Sequence, residues 1–405
     1  MKNIGLTKYL KKEKTKKTDD IMQNNYYENI SAHLGIFQVV LYFTLLSFVI
    51  LSFVSNSNLI TYRNFYYFFK DLDASAESID VLKSDSVTYP TSDSQVFTLY
   101  RGGLAVIGNH SVTAFTSTGR QTVSQSIRYR NPMAEGKGRY LMVYEMGGTQ
   151  YSLYNSYTRL YSDMTEYPIN GVAVSDSGVY AILSSSGEFN SVVSLYNDNF
   201  ALINRYNKNS FVTDVAINEK GDLVALLTAD PIGGVFEAGL ELYIPGNGEI
   251  EKKIVLGEGM ALSCQFTSSG NIAVILTDSI VFLSHDGEII STYHFQGEKP
   301  AIADIGADGA ALILRSSAIS SKNHIIVFDK SGKMVYNEVV DIEAVALSRC
   351  GDSVFVMTST EIQRLSLQDG RFSSLEYHTD RHSILAVSEN ELLICSPQKA
   401  EYIRF

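Results

Sequence analysis

The chain has 405 residues and a formal net charge of −11, with 45% hydrophobic and 19% charged residues. This apolar content is sufficient for a large packed core, so a disordered or fibrous chain is excluded. The acidic excess argues against a nucleic-acid partner. Three cysteines are too few for a disulfide-stabilised scaffold.

Residues 34–54, LGIFQVVLYFTLLSFVILSFV, form an uncharged run of 21 residues. A helix rising about 1.5 Å per residue would span roughly 30 Å here, the thickness of a bilayer's hydrocarbon core. The run therefore predicts a transmembrane helix. The alternative is a cleaved signal peptide, whose apolar region is normally about 7–15 residues and ends in a small-residue cleavage site. The exit sequence VSNSNLI has no clear site of that kind, which favours an uncleaved signal-anchor.

The charge on either side of this run predicts its orientation. Residues 1–33 contain seven Lys and four acidic residues, a net charge of +3. Because the whole chain has a net charge of −11, the rest of the chain has a net charge of −14. An excess of Lys on one side of a span favours the cytoplasm for that side. We therefore expect a cytoplasmic basic tail (1–33), a single-pass location in the cell membrane and an acidic extracytoplasmic domain. A role of the tail in contacts with cytoplasmic partners stays open.

The next segment, 55–77, is rich in aromatic residues, as in YRNFYYFFKDL (62–72). Aromatic rings are favoured at the interface between a bilayer and water. We predict that the bilayer interface is occupied by Tyr62, Phe65, Tyr66, Phe68 and Phe69. The alternative is a helix packed against the soluble domain, because Phe65, Phe68, Phe69 and Leu72 would share one helical face.

From about residue 93 the apolar pattern has period two, and an apolar strand, a polar turn closing in Gly and a second apolar strand recur. The turn glycines are Gly178, Gly221, Gly270, Gly309 and Gly351, at spacings of 43, 49, 39 and 42 residues. A tight hairpin requires a residue with positive φ, which Gly adopts without steric cost. A second hairpin follows each first one, and in LYNDNFALI (195–203) an Asn takes the place of the Gly.

Two hairpins per roughly 40 residues are typical of a β-propeller blade. Residues 78–405 are therefore predicted to form an all-β, eight-bladed propeller, with seven blades as the alternative and a solenoid or a pair of sandwiches as other architectures. Blade starts are predicted near Ser94, Pro132, Asn170, Val212, Met260, Pro300, Asp341 and Arg381. The last blade has only three strand-like runs, so we expect residues 78–89 to supply the fourth and close the ring.

Motifs that carry chemistry are weak in this sequence. The closest histidines, His378 and His382, are interpreted as part of a solvated loop between blades, and Cys264 and Cys395 as buried strand residues. The segment IGGVFEAG (232–239) is interpreted as an extended loop between strands. The sequence therefore assigns no catalytic residue, no metal ligand and no cofactor.

Tyrosines cluster in the predicted second blade at positions 151, 154, 157, 161 and 167. Flat aromatic surfaces are favoured in sugar-binding sites, and this cluster is the best candidate for one in the chain. The alternative, which we favour, is that these rings fill the gaps between blades.

Three segments carry a family resemblance: NFYYFFKDLDASAE (64–77), QVFTLYRGGLAVIGNHSVTAFTSTGR (95–120) and SLYNSYTRLYSDMTEYPINGVAVSDSG (152–178). They resemble an uncharacterised bacterial family, common in anaerobic Firmicutes, with a domain of unknown function. Its members are single-span, membrane-anchored proteins whose propeller-like domain is similar to quinoprotein and WD40 propellers. The resemblance covers most of the chain after residue 34 and implies a location in the bacterial cell envelope, but no activity. The Trp-rich blade motifs of quinone-cofactor propellers are absent here, since the chain has no Trp.

These features favour a binding or scaffold module of the cell envelope with an unidentified protein or cell-wall partner. The alternative is a hydrolase or lyase that acts on envelope polysaccharide with carboxylates in the central funnel of the propeller. The positions of inward-facing carboxylates decide between them, because catalysis requires converging groups whereas a module requires only a surface.

Overall fold

The computed structural model describes residues 25–55, 86–155, 157–316, 322–377 and 383–405. Residue contacts divide the chain into two units, Met1–Lys70 and Asp71–Phe405. Several predictions fall outside the described residues: the interface aromatics Tyr62, Phe65, Tyr66, Phe68 and Phe69, and the histidine pair His378 and His382.

In the first unit the described element is helix α1 (Asn25–Ser55), which is continuous through residues 34–54. Every side chain described in it, from residue 33 to residue 48, is exposed; Leu34 is 57% and Phe48 71% exposed. Among the described residues, no helix combines the length and the apolar character that crossing a membrane requires.

The second unit consists of eight four-stranded antiparallel sheets, numbered here as blades 1 to 8. The first four blades contain β2 (Gln95–Tyr100), β3 (Gly103–Gly108), β4 (Ser111–Phe115) and β5 (Gln121–Ser126); β6 (Pro132–Lys137), β7 (Tyr140–Glu145), β8 (Gln150–Tyr154) and β9 (Arg159–Met164); β10 (Ile169–Val174), β11 (Tyr180–Ser184), β12 (Ser191–Tyr196) and β13 (Leu202–Lys208); and β14 (Phe211–Ile217), β15 (Val224–Ile232), β16 (Val235–Tyr243) and β17 (Lys252–Glu258).

The other four blades contain β18 (Ala261–Phe266), β19 (Ile272–Leu276), β20 (Ser279–Leu283) and β21 (Ile289–His294); β22 (Lys299–Gly306), β23 (Gly309–Arg315), β24 (Asn323–Asp329) and β25 (Met334–Val340); β26 (Ala346–Cys350), β27 (Ser353–Met357), β28 (Glu361–Ser366) and β29 (Arg371–Glu376); and β30 (Ser383–Ser388), β31 (Glu391–Cys395) and β32 (Lys399–Arg404) with β1 (Ser86–Thr88).

The blades form a closed ring. The first strand of each blade contacts the first strand of the next, and β30 of blade 8 contacts β2 of blade 1. The all-β, eight-bladed propeller is thus confirmed, and the seven-bladed, solenoid and sandwich alternatives are wrong. The first strand of every blade is innermost, so the eight first strands surround a central channel.

The two ends of the propeller sequence meet in blade 8. Strand β1 pairs antiparallel with β32, from Ser86 opposite Glu401 to Thr88 opposite Lys399. The expectation that residues 78–89 supply the missing outer strand is confirmed for the described part of that range. The pairing covers a sheet edge that would otherwise be open.

The core lies between blades rather than within any one of them. Apart from the protruding end of β15, the second strand of each blade is buried along nearly its whole length, as in β3 and β19. A strand that is apolar on both faces requires a layer on each side, which the two neighbouring blades provide. Eight buried clusters result in the described residues, each shared by two adjacent blades. No blade buries its apolar faces alone.

The five repeat glycines lie in hairpin turns at positive φ, between 56° and 116°. The hairpin between β12 and β13 differs from its prediction, because the residue at positive φ there is Phe200 (64°) rather than an Asn. Its ring stacks on Tyr161 with a centroid distance of 4.7 Å. This contact offsets the cost of about 1–2 kcal/mol that a side chain incurs in the left-handed region.

Residues 232–239 are not a loop, so that interpretation was wrong. Strands β15 and β16 run nine residues each and are joined by Gly233 and Gly234 alone, at φ of 61° and 90°. Two central residues at positive φ match the twist of the flanking strands, so the pair makes a tight hairpin turn. Val235 and Phe236 favour strand structure, which extends the sheet beyond the lengths of its neighbours.

Candidate functional site

The innermost strands are the part of the propeller that faces the central channel. Unlike the buried second strands, most of their residues retain some exposed surface, as along β2 and β22. Their inner edges have no neighbouring strand, so the backbone N–H groups on the channel side of each strand require other acceptors.

Polar side chains on these strands accept hydrogen bonds from the next blade. Asp214 of blade 4 accepts from the backbone N–H of Cys264 and the hydroxyl of Ser263 in blade 5, both at 2.9 Å. Asp304 of blade 6 accepts from the N–H of Arg349 in blade 7 at 2.7 Å.

Two further hydrogen bonds also join the inner strand of one blade to that of the next, one of them longer and one with a neutral acceptor. Glu135 of blade 2 accepts from the N–H of Val174 in blade 3 at 3.4 Å. Ser348 of blade 7 accepts from the N–H of Ala386 in blade 8 at 3.0 Å. At four of the eight junctions, a side chain on the inner edge therefore ties one blade to the next.

Glu135 and Asp214 also share an electrostatic environment across blade 3. Burial, and to a lesser extent the Asp214 carboxylate, raises the pKa of Glu135 from an ordinary 4.5 to about 8. Burial likewise raises the pKa of Asp214, against hydrogen bonds that act to lower it. Burial and then these two carboxylates raise the pKa of the Tyr144 phenol. The residues Glu135, Tyr144 and Asp214 thus influence one another electrostatically although they belong to blades 2 and 4.

A larger groove lies between blades 4 and 5, with a cavity volume of about 720 Å³. It is lined by the turns that join the first two and the last two strands of both blades. Its floor is apolar and includes Leu223, Leu242 and Phe266. Its rim carries charges of both signs, including Lys220, Asp222, Lys252 and Asp286. An apolar floor with a polar rim is typical of binding sites in proteins.

Contacts between blades 4 and 5 cross one end of the groove. The Lys252 ammonium of blade 4 donates to the backbone oxygen of Asp286 in blade 5 at 2.8 Å and forms an ion pair with Glu288. This pair is exposed and contributes little stability. It nevertheless bridges two blades at one end of the groove, so the groove is a preformed feature of the ring.

The other residues singled out in the sequence are part of the framework. Tyr151 and Tyr154 are almost fully buried in clusters between blades, and Tyr161 packs against one of these clusters. Cys264 and Cys395 are buried, Cys350 is half-buried, and all three are free. Within the described residues, no group of three or more His, Cys, Asp or Glu side chains is arranged to hold a metal ion.

Sequence reasoning did not identify Glu135, Asp214 or the groove. The carboxylates lie on separate strands, 79 residues apart in the sequence, and each resembles an ordinary polar residue of an alternating strand. The available signal was position, because each carboxylate lies in the first strand of its blade, shortly before the first hairpin turn.

A model of one protein family matches residues 75–405, and its description is a family of unknown function, DUF5711. The chain belongs to the DUF5711 family. The match covers the whole propeller, so an uncharacterised propeller family, as the sequence resemblance implied, is confirmed at that level. No curated protein matches the sequence.

Solved structures resemble this DUF5711 propeller in fold. One is Chaetomium thermophilum Sqt1 bound to the N-terminus of the ribosomal protein L10, with 14% identity over 80% of this chain and 100% of that chain, at a TM-score of 0.53. Another crystal structure of Sqt1 from the same organism has 14% identity over 80% of this chain and 100% of that chain, at a TM-score of 0.52. The β-propeller domain of Myceliophteria thermophila Cps50 (Swd1) has 13% identity over 79% of this chain and 99% of that chain, at a TM-score of 0.47. At 14% identity the likeness to the two Sqt1 structures shows the fold alone.

Proposed function

We propose that this DUF5711 protein is a membrane-anchored binding or scaffold module of the bacterial cell envelope, with its propeller outside the cytoplasm and a protein partner. The observation that carries the binding role is the groove between blades 4 and 5. It combines an apolar floor and a charged rim on a ring whose blades are tied at the channel and closed at blade 8. A rigid ring loses little conformational entropy when a partner binds, which favours affinity.

A protein partner is consistent with the structural neighbours. The Sqt1 propeller was crystallised with the N-terminus of the ribosomal protein L10, so a propeller of similar fold holds a peptide segment of another protein. The groove has room for such a segment, because 720 Å³ lies within the range of about 300–1,000 Å³ that ligand sites occupy.

The anchoring part of the proposal rests on residues 34–54. They lie within α1, and described apolar side chains such as Phe37 (64% exposed) and Phe43 (66%) are mostly exposed. Contiguous exposed apolar surface is unfavourable in water and is normally covered by lipid or protein. The Lys-rich residues 1–33 favour a cytoplasmic amino end.

Capture of a partner tests the binding role. The full chain, solubilised from membranes in mild detergent, should retain a stoichiometric protein that is lost when Leu223→Asp and Ile244→Asp are introduced together in the groove. Ile244 is 41% exposed and Leu223 half-buried, so the fold should survive. The matched control is Val339→Asp on blade 6, at a side chain 62% exposed. A wild-type chain that retains no protein above the level of unrelated membrane proteins would contradict the proposal.

Cysteine labelling tests the topology. Gly187→Cys places a thiol in an exposed loop of blade 3 where an added Cβ meets no atom within 4 Å. An extracytoplasmic propeller predicts that a membrane-impermeant maleimide labels this thiol on intact cells. The control Thr18→Cys, in the basic tail, should react only after permeabilisation. The reverse pattern would refute the orientation.

A second candidate function follows from the carboxyl groups of Glu135 and Asp214, which influence each other and Tyr144 electrostatically. A carboxyl group that stays protonated up to about pH 8 is suited to act as a general acid, as polysaccharide hydrolases require. Under this alternative, Glu135→Gln abolishes release of reducing sugar ends from purified cell-wall polysaccharide, whereas Asp304→Asn, another inner-strand carboxylate, leaves it unchanged. Wild-type protein that releases no ends would eliminate the alternative.

A further inference from the structure

The hairpin of β15 and β16, whose paired strands are the longest second and third strands in the described residues, projects from the face opposite the groove. Strands β15 and β16 have nine residues each, whereas the second and third strands of the other blades have five to seven. The groove is lined by turns between first and second strands, and this hairpin joins a second strand to a third. In an antiparallel sheet these two kinds of turn lie at opposite ends of the strands, and therefore on opposite faces of the ring.

The projecting end of this hairpin is apolar. Ile232 and Val235, paired across the tip, are 52% and 48% exposed, and Phe236 is 42% exposed. Nearby on the same face of the ring, Phe211 at the start of β14 is 44% exposed and Met260 before β18 is 41% exposed. Exposed apolar residues that are grouped in this way mark an interaction surface more often than single ones do.

A row of three carboxylates borders the tip. Asp230 lies opposite Glu237, and Glu237 lies opposite Glu258, on three adjacent strands. Ile232 and Val235 belong to the same side of the sheet, because alternate residues of a strand share a side. The Asp230–Glu237–Glu258 row and this aliphatic pair therefore form one continuous surface.

The row is not neutralised by the protein. Within the described residues, none of the three carboxylates forms an ion pair, although Asp230 accepts a hydrogen bond from the Ser210 hydroxyl at 3.0 Å. Deeper in the same sheet, Glu241 pairs with Lys208 at 2.6 Å and with Lys253 at 3.4 Å. Like charges directly opposite each other destabilise a sheet, so the uncompensated row is costly for the isolated chain.

We propose that the hairpin tip, with its carboxylate row, docks a segment of a partner protein that combines Lys or Arg with aliphatic side chains. The inference rests on the proposed binding role and names the surface and the chemistry of the partner. The cations of such a segment would compensate Asp230, Glu237 and Glu258, and its aliphatic groups would cover Ile232 and Val235. An anionic lipid surface is disfavoured because the row would repel it. A metal ion is disfavoured because no described cluster is arranged to hold one.

Defined peptides test the proposal on the full chain in nonionic detergent. Fluorescein-labelled peptides of about twelve residues would alternate Lys with Leu, Glu with Leu, or Lys with Ser, and fluorescence anisotropy would give their dissociation constants. The Lys/Leu peptide should bind at least tenfold more tightly than either of the others. Affinity should fall as NaCl increases, because exposed charges are screened.

Variants locate the binding. Glu237→Gln with Glu258→Gln, and separately Ile232→Ser with Val235→Ser, should each weaken Lys/Leu binding at least tenfold. The matched controls Glu376→Gln and Val339→Ser change an exposed carboxylate and an exposed aliphatic side chain on other blades and should have no effect. Equal binding by the tip variants and the wild type, or no binding of the Lys/Leu peptide, would overturn the proposal.

A fluorescent reporter separates a protein partner from a lipid. The chain has no Trp, so Val235→Trp introduces a single one at the tip. Its emission should shift to the blue on addition of the Lys/Leu peptide and should be unaffected by brominated phosphatidylcholine in reconstituted vesicles. Quenching by the brominated lipid would overturn the proposal in favour of membrane insertion. If the tip fails these tests while the groove still retains its partner, the binding role stands and only this inference fails.

Discussion

Tyr89, which follows the closing strand β1, should hold the ring shut. Its ring is 7% exposed and lies between blades 8 and 1, with centroids 5.8 Å from Phe97 and 6.4 Å from Phe115. Its hydroxyl donates to the backbone oxygen of Ser396 at 2.7 Å. Replacing a buried aromatic residue by Ala costs about 3–5 kcal/mol, and the hydroxyl accounts for about 0.5–1.5 kcal/mol of it. Tyr89→Ala should therefore lower the free energy of unfolding severalfold more than Tyr89→Phe.

Two measurements check this prediction. Equilibrium unfolding in guanidinium chloride, followed by tyrosine fluorescence of the full chain in detergent, gives the loss of stability. Hydrogen exchange then locates it: Tyr89→Ala should expose amides of β32, whereas Tyr206→Ala, at a buried tyrosine between blades 3 and 4, should leave them protected. A Tyr89→Ala chain that loses less than about 1 kcal/mol, with β32 still protected, would refute the closing role.

Three further predictions concern single residues of the ring. The Glu135 carboxyl ionises above about pH 4.5 in the unfolded chain but only near pH 8 in the folded chain, so the free energy of unfolding should fall as pH rises through this window. In Glu135→Gln the denaturation midpoint should therefore change less between pH 5 and 8 than in the wild type. A parallel fall in both proteins would contradict this. Burial acts to raise the pKa of Glu241, but hydrogen bonds from Lys208 and a neighbouring tyrosine outweigh it and lower the pKa. The ionised Glu241 carboxylate therefore stabilises the folded state above pH 4.5, and this stabilisation is lost as pH falls. Lys208→Met should cost about 3 kcal/mol of stability, measured by thermal unfolding at pH 7. Gly270→Ala, at φ +82° with open space around it, should cost about 1–2 kcal/mol, whereas Gly309→Ala should cost more, because its Cβ would lie 2.3 Å from a backbone oxygen of β24; equal losses would show that the close approach relaxes.

The repeat determined how much of the fold was predictable. Strand periodicity and the turn glycines indicate hairpins, and the number of hairpins gives eight blades and the missing fourth strand of the last one. The first strands of seven blades begin within two residues of their predicted starts, and blade 7 begins at Ala346 rather than near Asp341. Residues 341–345 connect the blades and are not part of a strand, although the Val345 N–H donates to the backbone oxygen of Met357; the sequence pattern does not distinguish such a connection from a strand.

The candidate sites were not predictable, because ring geometry creates them. Glu135 and Asp214 approach each other only when blades 2 and 4 are placed around one axis, and no local pattern encodes that distance. The tip at Gly233 was missed for another reason: two adjacent glycines are typical of both a loop and a tight hairpin turn. The flanking Ile232 and Val235 favoured the hairpin.

The pairing of β1 with β32 also constrains when the propeller can be completed. Ser86 pairs with Glu401, 315 residues later in the sequence, so a newly synthesised chain cannot close the ring before β32 has been made. A nonsense mutation just before Lys399 would delete β32 and leave β1 without its pairing partner. Pairing of β1 with β32 therefore completes the ring in one step, and an incomplete chain keeps an exposed sheet edge that quality-control proteases can recognise.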